Sequence, residues 1–194
     1  MSQNPWLVPV TTLRRQPGVR REERRAGRIG ELSVVGSVVP ASAEAVAVAV
    51  LDSAVGGIEV TAEIRAPWQG ECRRCLRPLA GELRCEVREL YRPRSEHIGP
   101  DPDEDTYPLE GDHLDLSPMV RDALLLELPL APLCGEDCRG LCPTCGADLN
   151  AGSCGCPASL GDHRWGVLDV LRAPAVDSGP YAPAEPEGPG EPGS

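Results

Sequence analysis

Six of the nine cysteines stand within residues 134 to 156: Cys134, Cys138, Cys142, Cys145, Cys154 and Cys156. Thiolates at this density, carried on short turns rich in Pro and Gly, suit a tetrahedral Zn2+. Cys142-Pro-Thr-Cys145-Gly146 has the form of a zinc knuckle. Its two thiolates reach one metal, and the Gly relaxes the turn so that backbone N–H groups approach the sulfurs. The other two ligands come from Cys134 and Cys138 or from Cys154 and Cys156. The first pair has the i, i+4 spacing that places both on one face of a helical turn. The second pair is closer together, with Gly155 permitting a tight bend. Spacing alone does not choose between them, although Cys134 and Cys138 precede the knuckle at short range and are the preferred pair. One structural zinc ion is expected.

Other chemistries fit less well. A catalytic zinc site usually has a His or carboxylate ligand and an open position. The three histidines, His97, His113 and His163, stand at no ligand spacing. A redox Cys-x-x-Cys needs a helix N-terminus to lower a thiol pKa, and no strand precedes Cys142 to present one. Buried free thiols would not cluster among Gly, Pro and Asp. The metal is therefore read as structural, offsetting a weak local core. A second pair, Cys72-Arg-Arg-Cys75, lacks a nearby partner pair. It reads first as a β-turn with small buried thiols, with half of a second metal site or a redox pair as alternatives. No nucleophile elbow, HExxH or phosphate-binding Gly loop is present, so no catalytic residue is assigned.

Charge is segregated along the chain. The formal net charge is -11, all nineteen basic residues are Arg, and Phe is absent. Residues 14 to 28 carry Arg14, Arg15, Arg20, Arg21, Arg24, Arg25 and Arg28 against Glu22 and Glu23. Such a run could track phosphates, or serve only as a solubilising stretch. Residues 96 to 115 carry eight acids and no Arg, which reads as a solvated loop. There is no apolar run of signal-peptide or membrane-span length. A cytoplasmic protein with reduced thiols is expected, and an odd cysteine count argues against a full disulfide framework.

The elements that must position these residues are mainly strands. Val34, Val35, Val38 and Val39 form one short apolar run, and Val46, Val48 and Val50 alternate with Ala. Ile58, Val60, Ala62 and Ile64 alternate with Glu59, Thr61, Glu63 and Arg65, a period of two with one dry and one wet face. Gly56-Gly57 marks a hairpin. Leu83, Cys85 and Val87 face one way in a further strand. Ser117 and Pro118 open a helix with Val120, Ala123, Leu124 and Leu128 as its buried stripe, and Pro129 ends it. Asp162 caps a last short helix bearing Trp165, Leu168 and Leu171. The fold class is α+β: an antiparallel sheet or small barrel, one long and one short helix, and a Cys-rich zinc knuckle. The expected organisation is a loose Arg-rich arm (1–31), a β-rich core with its helix (32–130), the zinc module with its closing helix (131–172) and a disordered Pro/Gly/Glu tail (173–194).

Taken in order, these motifs resemble the YceD family across roughly residues 6 to 172. The resemblance rests on Gly70-Glu-Cys72-Arg-Arg-Cys75-Leu76, on Asp115-Leu-Ser-Pro-Met-Val-Arg-Asp-Ala-Leu-Leu-Leu-Glu-Leu-Pro129, and on Pro132-Leu-Cys134. It continues through Cys138-Arg-Gly-Leu-Cys142-Pro-Thr-Cys145-Gly146, Leu149-Asn150 and Cys154-Gly-Cys156. Near the last helix the family often has Asp-Pro-Arg where this chain has Asp162-His163-Arg164. The resemblance implies a non-enzymatic ribosome-biogenesis factor that supports accumulation or processing of large-subunit rRNA. Its partners would be that rRNA, the assembling large subunit, or a ribosomal or processing protein. Since some family members lack the C-terminal cysteines, the zinc module would support the fold or a contact surface. The alternative is a zinc-stabilised protein-interaction module that binds a ribosomal or processing protein without touching RNA, a reading the net charge favours.

Overall fold

The computed structural model describes residues 4–93, 106–157 and 166. Met1–Cys154 forms one compact unit, and it contains all the regular elements described. In chain order these are β1 (Leu7–Pro9), α1 (Thr11–Arg15), β2 (Arg20–Arg28), β3 (Leu32–Val34), β4 (Ser37–Val39), β5 (Glu44–Ala54), β6 (Gly57–Glu71), β7 (Pro78–Pro93), β8 (Thr106–Leu109), β9 (His113–Asp115) and α2 (Ser117–Glu127). No helix among the described residues is long and apolar enough to cross a membrane.

The alternating patterns make the strands they predict. β5 and β6 pair antiparallel from Ala54↔Gly57 to Val46↔Arg65 around the Gly56 turn, where φ is +80°. β6 and β7 then form a long hairpin, in register from Ile58↔Tyr91 to Glu71↔Pro78. β2 adds to the outer edge of β5, and β8 runs parallel to the end of β7. The far end of β6 pairs with β4, which pairs with β3. The result is a mostly antiparallel sheet with two helices. Among the described residues the sheet is open, because nothing joins β2 to β8. No closed small barrel is formed among the described residues.

One face of the sheet is dry. Ile58, Val60 and Ile64 of β6 are fully buried, and Leu83 of β7 lies on the same side. On β5 the inward residues are Ala45, Ala47, Ala49 and Leu51, whereas Val48 points outward and is 47% exposed. The bulkier residue of the Val/Ala alternation thus faces solvent. Small inward alanines fit the close packing of a core that also holds Trp6, Leu13, Met119 and Leu124. The predicted stripe of α2 is buried as expected.

Three local expectations change. The segment at residues 1 to 31 is not a loose arm: it contributes β1, α1 and β2, with Trp6, Val8, Val10 and Leu13 buried. The Trp6 indole N–H donates to the Arg28 carbonyl, which ties the segment down. The acidic loop is partly regular, since its second half supplies β8 and β9, and β9 pairs with β1. Ser117 does not cap α2: the cap position is Leu116, which makes no side-chain capping bond, and the Asp115 carboxylate before it accepts from the backbone N–H and the hydroxyl of Ser117 at 2.8 and 2.7 Å. The helix predicted at Asp162 and the tail at 173–194 lie outside the described residues.

Candidate metal centre

The six residues between Glu71 and Pro78 form the tip of the β6–β7 hairpin, so Cys72 and Cys75 sit on its turn. Two backbone bonds close the tip, Cys72 N–H to the Arg77 carbonyl and Leu76 N–H to the Cys72 carbonyl, each at 2.8 Å. Leu76 takes a left-handed φ of 59°, which is uncommon for a residue with a branched side chain. After α2 the chain runs past this tip. Arg73 N–H donates to the Pro132 carbonyl at 2.9 Å, and the Arg74 guanidinium donates to the Glu136 and Cys138 carbonyls at 3.0 and 2.9 Å.

This docking groups the thiols by fold rather than by sequence. Cys72, Cys75, Cys134 and Cys138 have all four sulfurs within 4.8 Å of one another. Cys142, Cys145 and Cys154, in the same compact unit, form a second group of close sulfurs. The pairing preferred from sequence, Cys134 and Cys138 with the Cys142 knuckle, is not the one the geometry brings together. The reason lies in the backbone between them. Gly140 adopts φ +74° against the Arg74 carbonyl, where a Cβ would stand 2.9 Å from the oxygen. Leu141 N–H donates to that same carbonyl at 3.0 Å. The chain turns here, so Cys138 stays at the hairpin tip while the knuckle faces Cys154. The knuckle itself closes as expected, Gly146 N–H donating to the Cys142 carbonyl at 2.9 Å with φ +74° at the glycine.

The electrostatics of both groups suit a cation. Burial works against a Cys72 thiolate, but N–H groups of Cys75, Cys134 and Arg74 together outweigh it and bring the thiol down to about 6. N–H groups of Cys145 and Thr144, with the Cys154 thiol, bring Cys142 down to about 6. Cys134, crowded by the sulfurs of Cys138 and Cys75, is pushed up to about 12. Each group thus holds one thiol drawn toward the thiolate, the form that binds a divalent ion. None of the nine cysteines is in a disulfide. Cys85 stands apart on β7, its thiol against the Ile64 carbonyl and pushed up by burial. Both sulfur groups could hold a metal ion.

Strand alternation divides the predicted arginines. Arg21 and Arg25 fall on the side of β2 that faces Leu51 and Ala47. Both pair with Glu23, at 3.0 and 3.1 Å, and Arg21 also donates to the Pro9 carbonyl. Arg20 pairs with Asp52 and Arg14 with Asp112. Arg15, Arg24 and Arg28 are exposed and have no ion pair among the described residues. The arginines do not form one continuous cationic surface. Cys72 and Cys75 were the functional candidates that spacing underrated, because their partners lie about sixty residues further along the chain.

The comparisons with known proteins bear on this segment directly. The family model described as "Large ribosomal RNA subunit accumulation protein YceD" matches residues 60–172, from β6 through both cysteine groups. The uncharacterized protein Rv2926c of Mycobacterium tuberculosis is 32% identical over 183 residues, covering 90% of this chain and 85% of that protein. The uncharacterized protein ML1660 of Mycobacterium leprae is 29% identical over 180 residues, covering 89% and 80%. A shorter match joins the chain to the chloroplastic large ribosomal RNA subunit accumulation protein YCED homolog 1 of Arabidopsis thaliana, 36% identical over 66 residues, 34% of this chain and 21% of that protein. No solved structure matches. By the extent of the family match and the length shared with the mycobacterial relative, the chain belongs to the YceD family.

Proposed function

We propose that this protein supports the accumulation of large-subunit rRNA without catalysing a reaction, by binding the assembling large subunit. The observation that carries this reading is the span of the family match: residues 60–172 take in the β6–β7 hairpin, α2 and both cysteine groups in one continuous stretch of sequence. Family members from Arabidopsis and maize bear the name of large ribosomal RNA subunit accumulation proteins. In this reading the group at Cys142, Cys145, Cys154 and Cys156 holds a structural zinc ion. The open side of β2, with Arg24 and Arg28, supplies phosphate contacts. In a gradient at low salt the protein is expected to travel with precursors of the large subunit and to leave them as salt rises. A protein that stays at the top of the gradient at every salt concentration would defeat the proposal.

A second reading replaces RNA with protein. It is favoured by the pairing of Arg14, Arg20, Arg21 and Arg25 with acids, which leaves three arginines of this run, Arg15, Arg24 and Arg28, without an ion pair among the described residues, on a chain of net charge -11. Crosslinking within the particle separates the two by whether RNA or a ribosomal protein is captured.

A further inference from the structure

We propose that Cys72, Cys75, Cys134 and Cys138 form a zinc site of their own, a clamp that ties the tip of the β6–β7 hairpin to the chain that follows α2. The site is separate from the one at Cys142 and depends on neither reading of the partner.

The sulfur geometry supports it first. Zinc with Zn–S bonds of about 2.3 Å sets tetrahedral sulfurs about 3.8 Å apart. The Cys72 and Cys138 sulfurs are 3.8 Å apart, and those of Cys75 and Cys134 are 3.6 Å apart. Both match the edge of such a tetrahedron and lie well beyond a covalent S–S bond of about 2 Å. The four residues come from two pairs, one on the hairpin turn and one after α2, so an ion there would crosslink distant parts of the chain.

Burial supports it second. Cys72, Cys75 and Cys138 are the buried members of a small cluster apart from the main core, flanked only by Leu79 and Leu141. Three thiols and two aliphatic side chains bury little apolar surface. Residues 129–157 contain no helix or ladder strand, only an isolated bridge between Leu141 and Asp148. A segment with so little core needs a covalent or metal crosslink to hold one conformation.

The surroundings support it third. Arg74 braces Glu136 and Cys138 through their carbonyls, and the Asn150 amide stands 3.6 Å from the Cys138 sulfur while its oxygen accepts from Arg139 N–H. Donors aimed at sulfur and at the ligand backbone are the outer support that metal thiolates require. Cys85 lacks all of this and serves as an internal control.

The test uses the full wild-type chain purified without chelator. Zinc per chain is measured, and each thiol is mapped by alkylation and peptide mass spectrometry with and without chelator. Two equivalents of zinc are expected, with Cys72, Cys75, Cys134 and Cys138 labelled at least about tenfold faster after chelation, while Cys85 labelling is unchanged by chelation until the sheet unfolds. No bound zinc, or labelling of Cys72, Cys75, Cys134 and Cys138 that chelator does not change, would overturn the proposal; one equivalent with those four thiols protected would defeat only the site at Cys142. The double variant Cys142→Ser/Cys145→Ser is expected to keep one equivalent. A folded variant that keeps none would also overturn it, and the wild-type labelling of the four thiols decides the matter if the variant does not fold. None of these outcomes depends on association with a ribosomal particle.

Discussion

Arg24 and Arg25 are neighbours in sequence and differ in almost everything else. Arg25 lies on the inner side of β2 in ion contact with Glu23, while Arg24 is exposed on the outer side. A strand places successive side chains on opposite faces, so the Arg-rich run cannot act as a single patch. If β2 meets phosphate, Arg24→Ala with Arg28→Ala should lower the slope of log affinity against log salt by about 1 per residue. Filter binding to large-subunit rRNA over a salt series reads this. The same substitutions should leave the unfolding midpoint within experimental error, since exposed unpaired arginines carry little stability. Arg21→Ala with Arg25→Ala should instead lower the midpoint, because Glu23 and the Pro9 carbonyl lose their partners. Run composition was legible in the sequence; the split between faces was not, because it needs the strand to be recognised beneath its charges.

At the scale of elements, the β5–β6–β7 meander is the frame, and its alternating residues declared it. Gly56 and Gly57 show why the dipeptide matters at both positions. Gly56 supplies the left-handed turn with open space around it, whereas a Cβ on Gly57 would collide with the Tyr91 carbonyl oxygen on β7. Gly57→Ala is therefore expected to destabilise by about 2 kcal/mol or more, as backbone must shift to admit the methyl group. A urea titration followed by circular dichroism measures it, and a loss below about 0.5 kcal/mol would show that the strands slide apart without strain. β2 was hidden by its arginines, and α1 and β9 by their brevity. α2 was visible from its apolar stripe, but Ser117, expected as its cap, stands inside its first turn and bonds to the Asp115 carboxylate, while Leu116 takes the cap position. The path of β9 into the helix sets that arrangement, and local sequence does not show it.

The described residues have two centres of cohesion. One is the apolar core between the sheet and α2; the other is the pair of cysteine groups, where little apolar surface is buried. Their separation predicts that chelation loosens one and spares the other. After metal removal the strand signal in far-ultraviolet circular dichroism should persist, while tryptic cleavage at Arg139 should rise by about tenfold as the 129–157 segment opens. Loss of the strand signal with the metal would show instead that the clamp supports the sheet. The sequence by itself determined the residue chemistry: clustered thiols with knuckle spacing, segregated charge, alternating strands, and a motif order that identifies the family. It did so because periodicity and ligand spacing are local properties. Only the tertiary structure decided which thiols meet. Cys72 and Cys75 lie on a hairpin tip, and the turn at Gly140 holds Cys138 there while directing Cys142 elsewhere. A contact across about sixty residues is set by the hairpin's length and by the path of the chain after α2, and neither is written in the spacing of the cysteines.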